Sequence, residues 1–503
     1  MSTTSTPKSS AIKRSMSFGA SGGSSDTVMK YVKYLFSSAM TLTYVVYIMW
    51  GIWTNQAVLP GPPVAHFIIF MFCITLVAYL EGLQVAILAC EHMDPEPMRS
   101  AFPRAFKLMS SVKRGNNVER FLVGRQFFTI FVMTLIAQVT SFPDISHLNV
   151  PSVVWFIFIQ TGLPGAMVVT TIGSLQPQLL AAKDPWKFLD LYGSYSVLYL
   201  CYGLELSGVC THFAWMLITL IRHTIFVSDI EPKSHKREIT TGYILLEGLK
   251  YIVSFSVISV YLIYILWGIG TGQALLPVPR VAVFFVFALC ILFLAHLEGL
   301  QVAILVQEHK DLVPYAVSHP KACSLMERTT FEKNVRRFLI GRQFFVIFVV
   351  FLINQCTIFP KISHLGINGA VWFVFIQLGL PTALVVLCFA QLPAQLLGNQ
   401  DPMKFMNRPG PRSTLEICLF TEITGLAHFS WVIAGFSRVT WFRPSNKVPA
   451  LQLKSTPTSP GVDDVESKGA VVSDSTVKQD SGGDDGDEKF EMHSDVSRYM
   501  NTD

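Results

Sequence analysis

Apolar residues gather along the chain in ten runs of about twenty, at roughly 32–53, 64–90, 121–141, 151–173, 197–221, 251–271, 281–306, 338–359, 370–392 and 415–437. Each is long enough to cross a hydrocarbon core of about 30 Å as a helix. The pattern predicts an all-α polytopic membrane protein with ten transmembrane helices and the lipid bilayer as its surroundings. Composition agrees, with 51% hydrophobic and only 15% charged residues, against about 25% charged in a soluble domain.

The two ends read differently. Residues 1–30 open Ser- and Thr-rich with Lys8, Lys13 and Arg14 and no apolar stretch directly after them, which predicts a disordered tail rather than a signal peptide. Residues 441–503 are Ser-, Pro- and Asp-rich and predict a second disordered tail, acidic at its end. The net charge of +5 therefore sums a basic body and an acidic tail, and no nucleic-acid partner follows from it. Eight of nine cysteines lie in or beside apolar runs at no metal-like spacing, as small packing residues do. No cofactor is expected.

Shifting the chain against itself by 217 residues exposes a duplication. The nine residues LEGLQVAIL occur at 80–88 and again at 297–305; RFLVGRQFF (120–128) meets RFLIGRQFF (337–345), WFIFIQTGLP (155–164) meets WFVFIQLGLP (372–381), and SHL recurs at 146–148 and 363–365. Two repeats, 31–225 and 251–440, flank a linker at 226–250. Five runs per repeat is an odd number, so the second repeat should be inverted, as in many secondary transporters. One observation pulls against this. The loops 91–120 and 307–337 each hold six Lys and Arg, yet inversion puts them on opposite faces, where basic residues should favour one. A parallel arrangement would instead need an even number of spans per repeat, for instance with one run re-entrant. Basic residues before the first run, and none in 54–63, place both termini in the cytoplasm in a ten-span chain.

The candidate chemistry lies inside the apolar runs. Ionisable groups at membrane depth are costly and point to function. Glu81 and Gln84 share a helix face, with Gly82 between them allowing close approach. Gly124, Arg125 and Gln126 open the next run from the same side. The second repeat supplies Glu298, Gly299, Gln301, Gly341, Arg342 and Gln343. Each Glu–Arg pair could simply lock two helices. The added amides instead suit a neutral polyhydroxylated solute, and the carboxylates a hard cation travelling with it. Glu205 with His212 and Glu422 with His428 could relay protons or only pack helices. Gly-Leu-Pro at 162–164 and 379–381 could break two helices, and EGLK at 247–250 reads as an interfacial segment.

Paired E-G-x-Q and G-R-Q motifs, once per half of a ten-span chain, resemble the diatom silicon (silicic acid) transporters. The likeness rests on Glu81-Gly82-Leu83-Gln84 with Gly124-Arg125-Gln126 and on Glu298-Gly299-Leu300-Gln301 with Gly341-Arg342-Gln343. It implies sodium-coupled uptake of orthosilicic acid across the plasma membrane, with these motifs on the solute pathway and a sodium ion as partner. It also implies a C-terminal coiled coil in many members; this tail has no sustained heptads. The alternative reading is a proton-coupled or passive transporter of another small neutral polyhydroxylated solute, possible as a homo-oligomer. No metalloprotease or nucleophile–base signature marks an enzyme. In the inverted arrangement each cluster would gate one face.

Overall fold

The structure is a computed structural model that describes residues 23–224 and 241–440, apart from 92, 116, 144, 146–149, 309, 331–333 and 363–365. The two SHL copies, most of the linker and most of both tails lie outside the described residues. Within them the chain is helical. Its long runs are α1 (Gly23–Trp53), α2 (Pro63–Cys90), α3 (Asn117–Thr140), α4 (Ser152–Gln160 and Leu163–Lys183), α5 (Ser194–Leu206 and Val209–Thr224), α6 (Thr241–Gly270), α7 (Arg280–Gln307), α8 (Asn334–Thr357), α9 (Gly369–Gln400) and α10 (Pro411–Thr424 and Phe429–Thr440). By length and composition seven could cross a membrane unbroken, or ten counting the bent pairs α4, α5 and α10.

Two boundaries differ from the sequence reading. Helix α1 begins at Gly23, inside the stretch read as tail. EGLK at 247–250 belongs to the first turns of α6 rather than to a separate interfacial segment. In both places a few polar residues ride on a helix whose stability comes from the apolar run behind them.

The relation between the repeats is not the inverted one. Helices α3 and α8 pack side by side. The Gln355 amide, two residues before the end of α8, donates to the hydroxyl of Ser141, the first residue past α3, at 2.6 Å. Antiparallel helices meeting at the level of Arg125 and Arg342 would hold these ends roughly 40 Å apart at helical rise. The loop after α6 joins the same end, where the Leu276 N–H donates to the Gln355 carbonyl at 3.0 Å. Val58 and Pro60 after α1 line one cavity with Ile358, Phe359 and Pro360 after α8. Corresponding helices therefore run the same way, and a pseudo-two-fold axis lies along the bundle.

An odd number of apolar runs yields an even number of crossings because α5 starts inside the bundle. After α4 the chain turns back along α2. The Phe188 ring presses on Gly82, and the Tyr79 hydroxyl donates to the Tyr192 carbonyl at 2.5 Å, about 16 Å short of the end of α2 at Cys90. From there α5 continues toward the end that α4 was approaching. Arg120, in the first turn of α3, lies 3.8 Å from Glu205. Ser254 of α6 bonds to the Val209 carbonyl and Tyr251 packs edge-on against His212, so the second half of α5 descends toward the start of α6. Together α4 and α5 make one net crossing. The second repeat copies this turn, with Phe405 on Gly299.

The repeats are also interleaved. The second half of α5 packs on α9, and that of α10 on α4. Glycines set the distances: a Cβ on Gly124 would stand 2.1 Å from the Cys201 carbonyl oxygen, and one on Gly341 2.0 Å from that of Cys418. All nine cysteines are free and buried.

This arrangement removes the conflict over charge. Both basic loops fall at the end where α1 and α6 begin. At the other end, 54–62, 141–151 and 271–279 contain no Lys or Arg and 358–368 only Lys361. Tags inserted after Gly115 and after Val317 should be accessible from the same side of the membrane. Protease protection in oriented vesicles checks this, and opposite accessibility would restore the inverted arrangement.

Candidate functional site

Helices α2 and α3 are antiparallel neighbours, and their meeting point carries the first ion pair. Arg125 Nη1 donates to Glu81 Oε1 at 2.8 Å. In the second repeat Arg342 Nη1 donates to Glu298 Oε1 at 3.0 Å. All four side chains are nine-tenths buried or more. The other carboxylate oxygen of each pair is also occupied. Gln178 Nε2 donates to Glu81 Oε2 at 2.6 Å and Gln395 Nε2 to Glu298 Oε2 at 2.7 Å.

The glutamines come from α4 and α9, and both follow a stretch of wide π-helical turns, Val169–Leu175 and Leu387–Gln391. Such turns shift the phase of the residues after them and are frequent at functional sites. The Gly-Leu-Pro breaks lie upstream. Gly162 and Gly379 have φ of +83° and +88°, which glycine adopts at little cost, and the Leu-Pro that follows restarts each helix. The sequence-predicted breaks are present, and they precede the π turns that aim the two glutamines.

The two clusters form one site. Gln126 Nε2 donates to Gln395 Oε1 at 2.5 Å across the repeat boundary. Gln343 Nε2 donates to Ser174 Oγ at 2.8 Å and lies 3.5 Å from Glu81 Oε2. Arg342 Nη2 donates to Gln343 Oε1 at 2.8 Å. A cavity of about 60 Å³ touches both ion pairs and seven glutamines: Gln84, Gln126, Gln178, Gln301, Gln343, Gln391 and Gln395. One water needs roughly 10–15 Å³, so there is space for a small polar solute. Arg125 Nε, Arg342 Nε, Gln126 Oε1 and Thr129 Oγ1 are buried here without a partner, an arrangement of donors and acceptors that a hydroxylated ligand can complete. Among the described residues no cluster of His, Cys, Asp or Glu suits a metal ion.

Several expectations change. The clusters share one chamber at one depth, so they do not each gate one face. Gly82, Gly124, Gly299 and Gly341 do not line the cavity; they face Phe188, Cys201, Phe405 and Cys418 and let those elements close on the site. Glu205 and Glu422 engage Arg120 and Arg337 at 3.8 and 2.9 Å; Glu422 also lies 3.9 Å from His428 Nε2, so the structure brings that pair together, while His212 bonds the Gly208 carbonyl. Gln178, Gln391, Gln395, Thr129 and Ser174 are additions. The repeat offered a signal for two of them, since Gln-Leu-Leu at 178–180 recurs at 395–397 with the same 217-residue spacing.

A family model described as "Silicon transporter" matches residues 25–239 and again 239–445. The chain belongs to the silicon transporter family. It is a multi-pass membrane protein of a family that transports silicic acid. The two matches abut near residue 239, so each spans one of the two motif pairs. No curated protein and no solved structure matches the chain.

In this silicon transporter the glycine contacts make a direct prediction. Gly124→Ala or Gly341→Ala pushes a methyl group into a backbone carbonyl, so each should lower stability by about 1–3 kcal/mol. Thermal unfolding in detergent checks it. A melting temperature equal to wild type would show that the helices can separate without cost.

Proposed function

We propose that this protein takes up orthosilicic acid, coupled to sodium, across the plasma membrane, binding it in the chamber shared by the two repeats. The observation that carries the reading is the pairing of zero net charge with a surplus of amides. Glu81 and Glu298 cancel Arg125 and Arg342, so the chamber does not select an ion by charge. What remains is a ring of donors and acceptors. Silicic acid is uncharged near neutral pH and presents four hydroxyls, each able to donate and accept. Arginine Nε and glutamine NH₂ groups donate to it; glutamine and carboxylate oxygens accept. Carboxylate and amide oxygens are also what a sodium ion requires.

Alternating access fits a chamber on a pseudo-two-fold axis between interleaved halves, where a small shift of one repeat against the other opens one end. The chamber lies nearer the basic end: Glu81 is nine residues from Cys90 but eighteen from Pro63 along α2. With Lys and Arg concentrated there, that end and both termini face the cytoplasm. The solute's longer path then runs from outside, between α3 and α8.

Two experiments test this. Silicic acid uptake into proteoliposomes should rise with an inward sodium gradient and not with a proton gradient; the reverse dependence would favour the proton-coupled reading. Neutralising a whole pair, Glu81→Gln with Arg125→Gln, avoids leaving one buried charge alone, which costs about 3–5 kcal/mol. That double variant should fold and lose at least tenfold in uptake. Because the chamber is shared, Glu298→Gln with Arg342→Gln should lose as much. Near-normal uptake in either would reduce that pair to a helix lock.

A further inference from the structure

A second cavity, of about 150 Å³, lies at the end of the bundle away from the basic loops. Along α3 it lies beyond the central chamber: Gln138 lines it, twelve residues and about 18 Å past Gln126. Its walls come from the second Gly-Leu-Pro break (Gly379, Pro381, Thr382), from Thr357 at the end of α8 and Ile358 just past it, and from aromatic side chains including Trp372.

The equivalent place in the first repeat is filled by a side chain, and the sequence shows why. At the 217-residue offset Thr134 corresponds to Phe351, and Thr382 to Gly165. In the first repeat's copy the Phe351 ring lies where a Cβ on Gly165 would be, 2.3 Å from its Cε1, and fills the space. The second copy has Thr134 and Thr382 instead, and the space stays open. The polar groups diverge in step. Gln355 donates its amide to Ser141. Its counterpart Gln138 faces Ile358 where Ser141 would stand, and an isoleucine side chain cannot accept. Gln138 is only 3% exposed and makes no hydrogen bond to any described residue, with Nε2 directed at Gly379. Thr382 Oγ1 donates to Thr357 Oγ1 at 2.8 Å and keeps its acceptor sites free.

We propose that this cavity is an outer subsite for the same neutral, hydroxyl-bearing solute, occupied before it reaches the central chamber; the proposal rests on the silicic acid reading above. None of the fourteen lining residues is charged, and an unpaired cation in a buried site is strongly disfavoured, so the chemistry selects a neutral ligand. Gln138 supplies a donor and an acceptor, and Thr382 supplies an acceptor. A buried amide left unpaired is costly, and the solute's hydroxyls satisfy it.

The test uses full-length protein in proteoliposomes and initial uptake rates against external silicic acid. Gln138→Leu keeps the volume and removes the hydrogen bonds. KM should rise about tenfold, the loss of roughly one to two hydrogen bonds, with Vmax within about twofold. Thr134→Phe with Thr382→Gly should do the same by filling the cavity with the packing the other repeat already uses. A folded Gln138→Leu with wild-type KM overturns the subsite. Should that variant fail to insert, wild-type KM in the double variant overturns it equally. Wild-type protein without silicic acid uptake sinks both the transport reading and the subsite, whereas normal wild-type uptake with unmoved KM sinks the subsite alone.

Discussion

Two buried carboxylate–guanidinium pairs constrain everything around them. A charge at membrane depth costs about 2.5–3.5 kcal/mol on insertion scales, and a pair recovers that only if its geometry is tight and its remaining lone pairs are satisfied. Here each carboxylate has one oxygen on arginine and the other on a glutamine from a third helix. That requirement explains the elements outside the pair. The breaks at Gly162 and Gly379 and the π turns after them set where Gln178 and Gln395 arrive. The glycines beside the charged residues let the 188 and 405 rings, and the 201 and 418 carbonyls, press in from behind and keep lipid away. A motif of Glu-Gly-x-Gln and Gly-Arg-Gln thus combines two tasks: the polar residues face the chamber, and the glycines face the scaffold.

Much of this was legible in the sequence. The ten apolar runs, the duplication and the eight polar residues at 81, 84, 125, 126, 298, 301, 342 and 343 all follow from pattern and spacing, and the structure gathers those eight around one cavity. The inversion did not hold, for a definable reason. Hydropathy counts apolar runs, whereas inversion depends on crossings, and a run that starts beside Tyr79 in mid-bundle is indistinguishable by composition from one that starts at the surface. The Lys and Arg distribution held the correct answer, because two equally basic loops in equivalent positions are natural when both lie at one end. Gln178 and Gln395 fall just past the apolar runs 151–173 and 370–392, one and two residues after Pro177 and Pro393, where glutamine is ordinary. Only the helix path through the π turns shows that they reach the carboxylates.

The parallel relation changes what a duplication accomplishes. An inverted pair generates two states by exchanging conformations. A parallel pair generates an axis, with equivalent groups facing each other at every level along it. Strict equivalence would offer a solute the same surroundings on both sides and no reason to prefer one side of the path. The chain departs from equivalence at chosen places. Ser174 holds the position equivalent to Gln391, and Gln343 bonds to Ser174 while Gln126 bonds to Gln395. Farther out, Phe351 and Gly165 fill one side while Thr134 and Thr382 leave the other open. The conserved-in-both-halves residues hold the charges, whose balance tolerates no change on one side alone. The diverged residues are neutral and lie next to space, where a substitution reshapes a cavity without unpairing a buried charge. Symmetry is kept where breaking it would strand an ion, and is given up where doing so only opens or fills a neutral space.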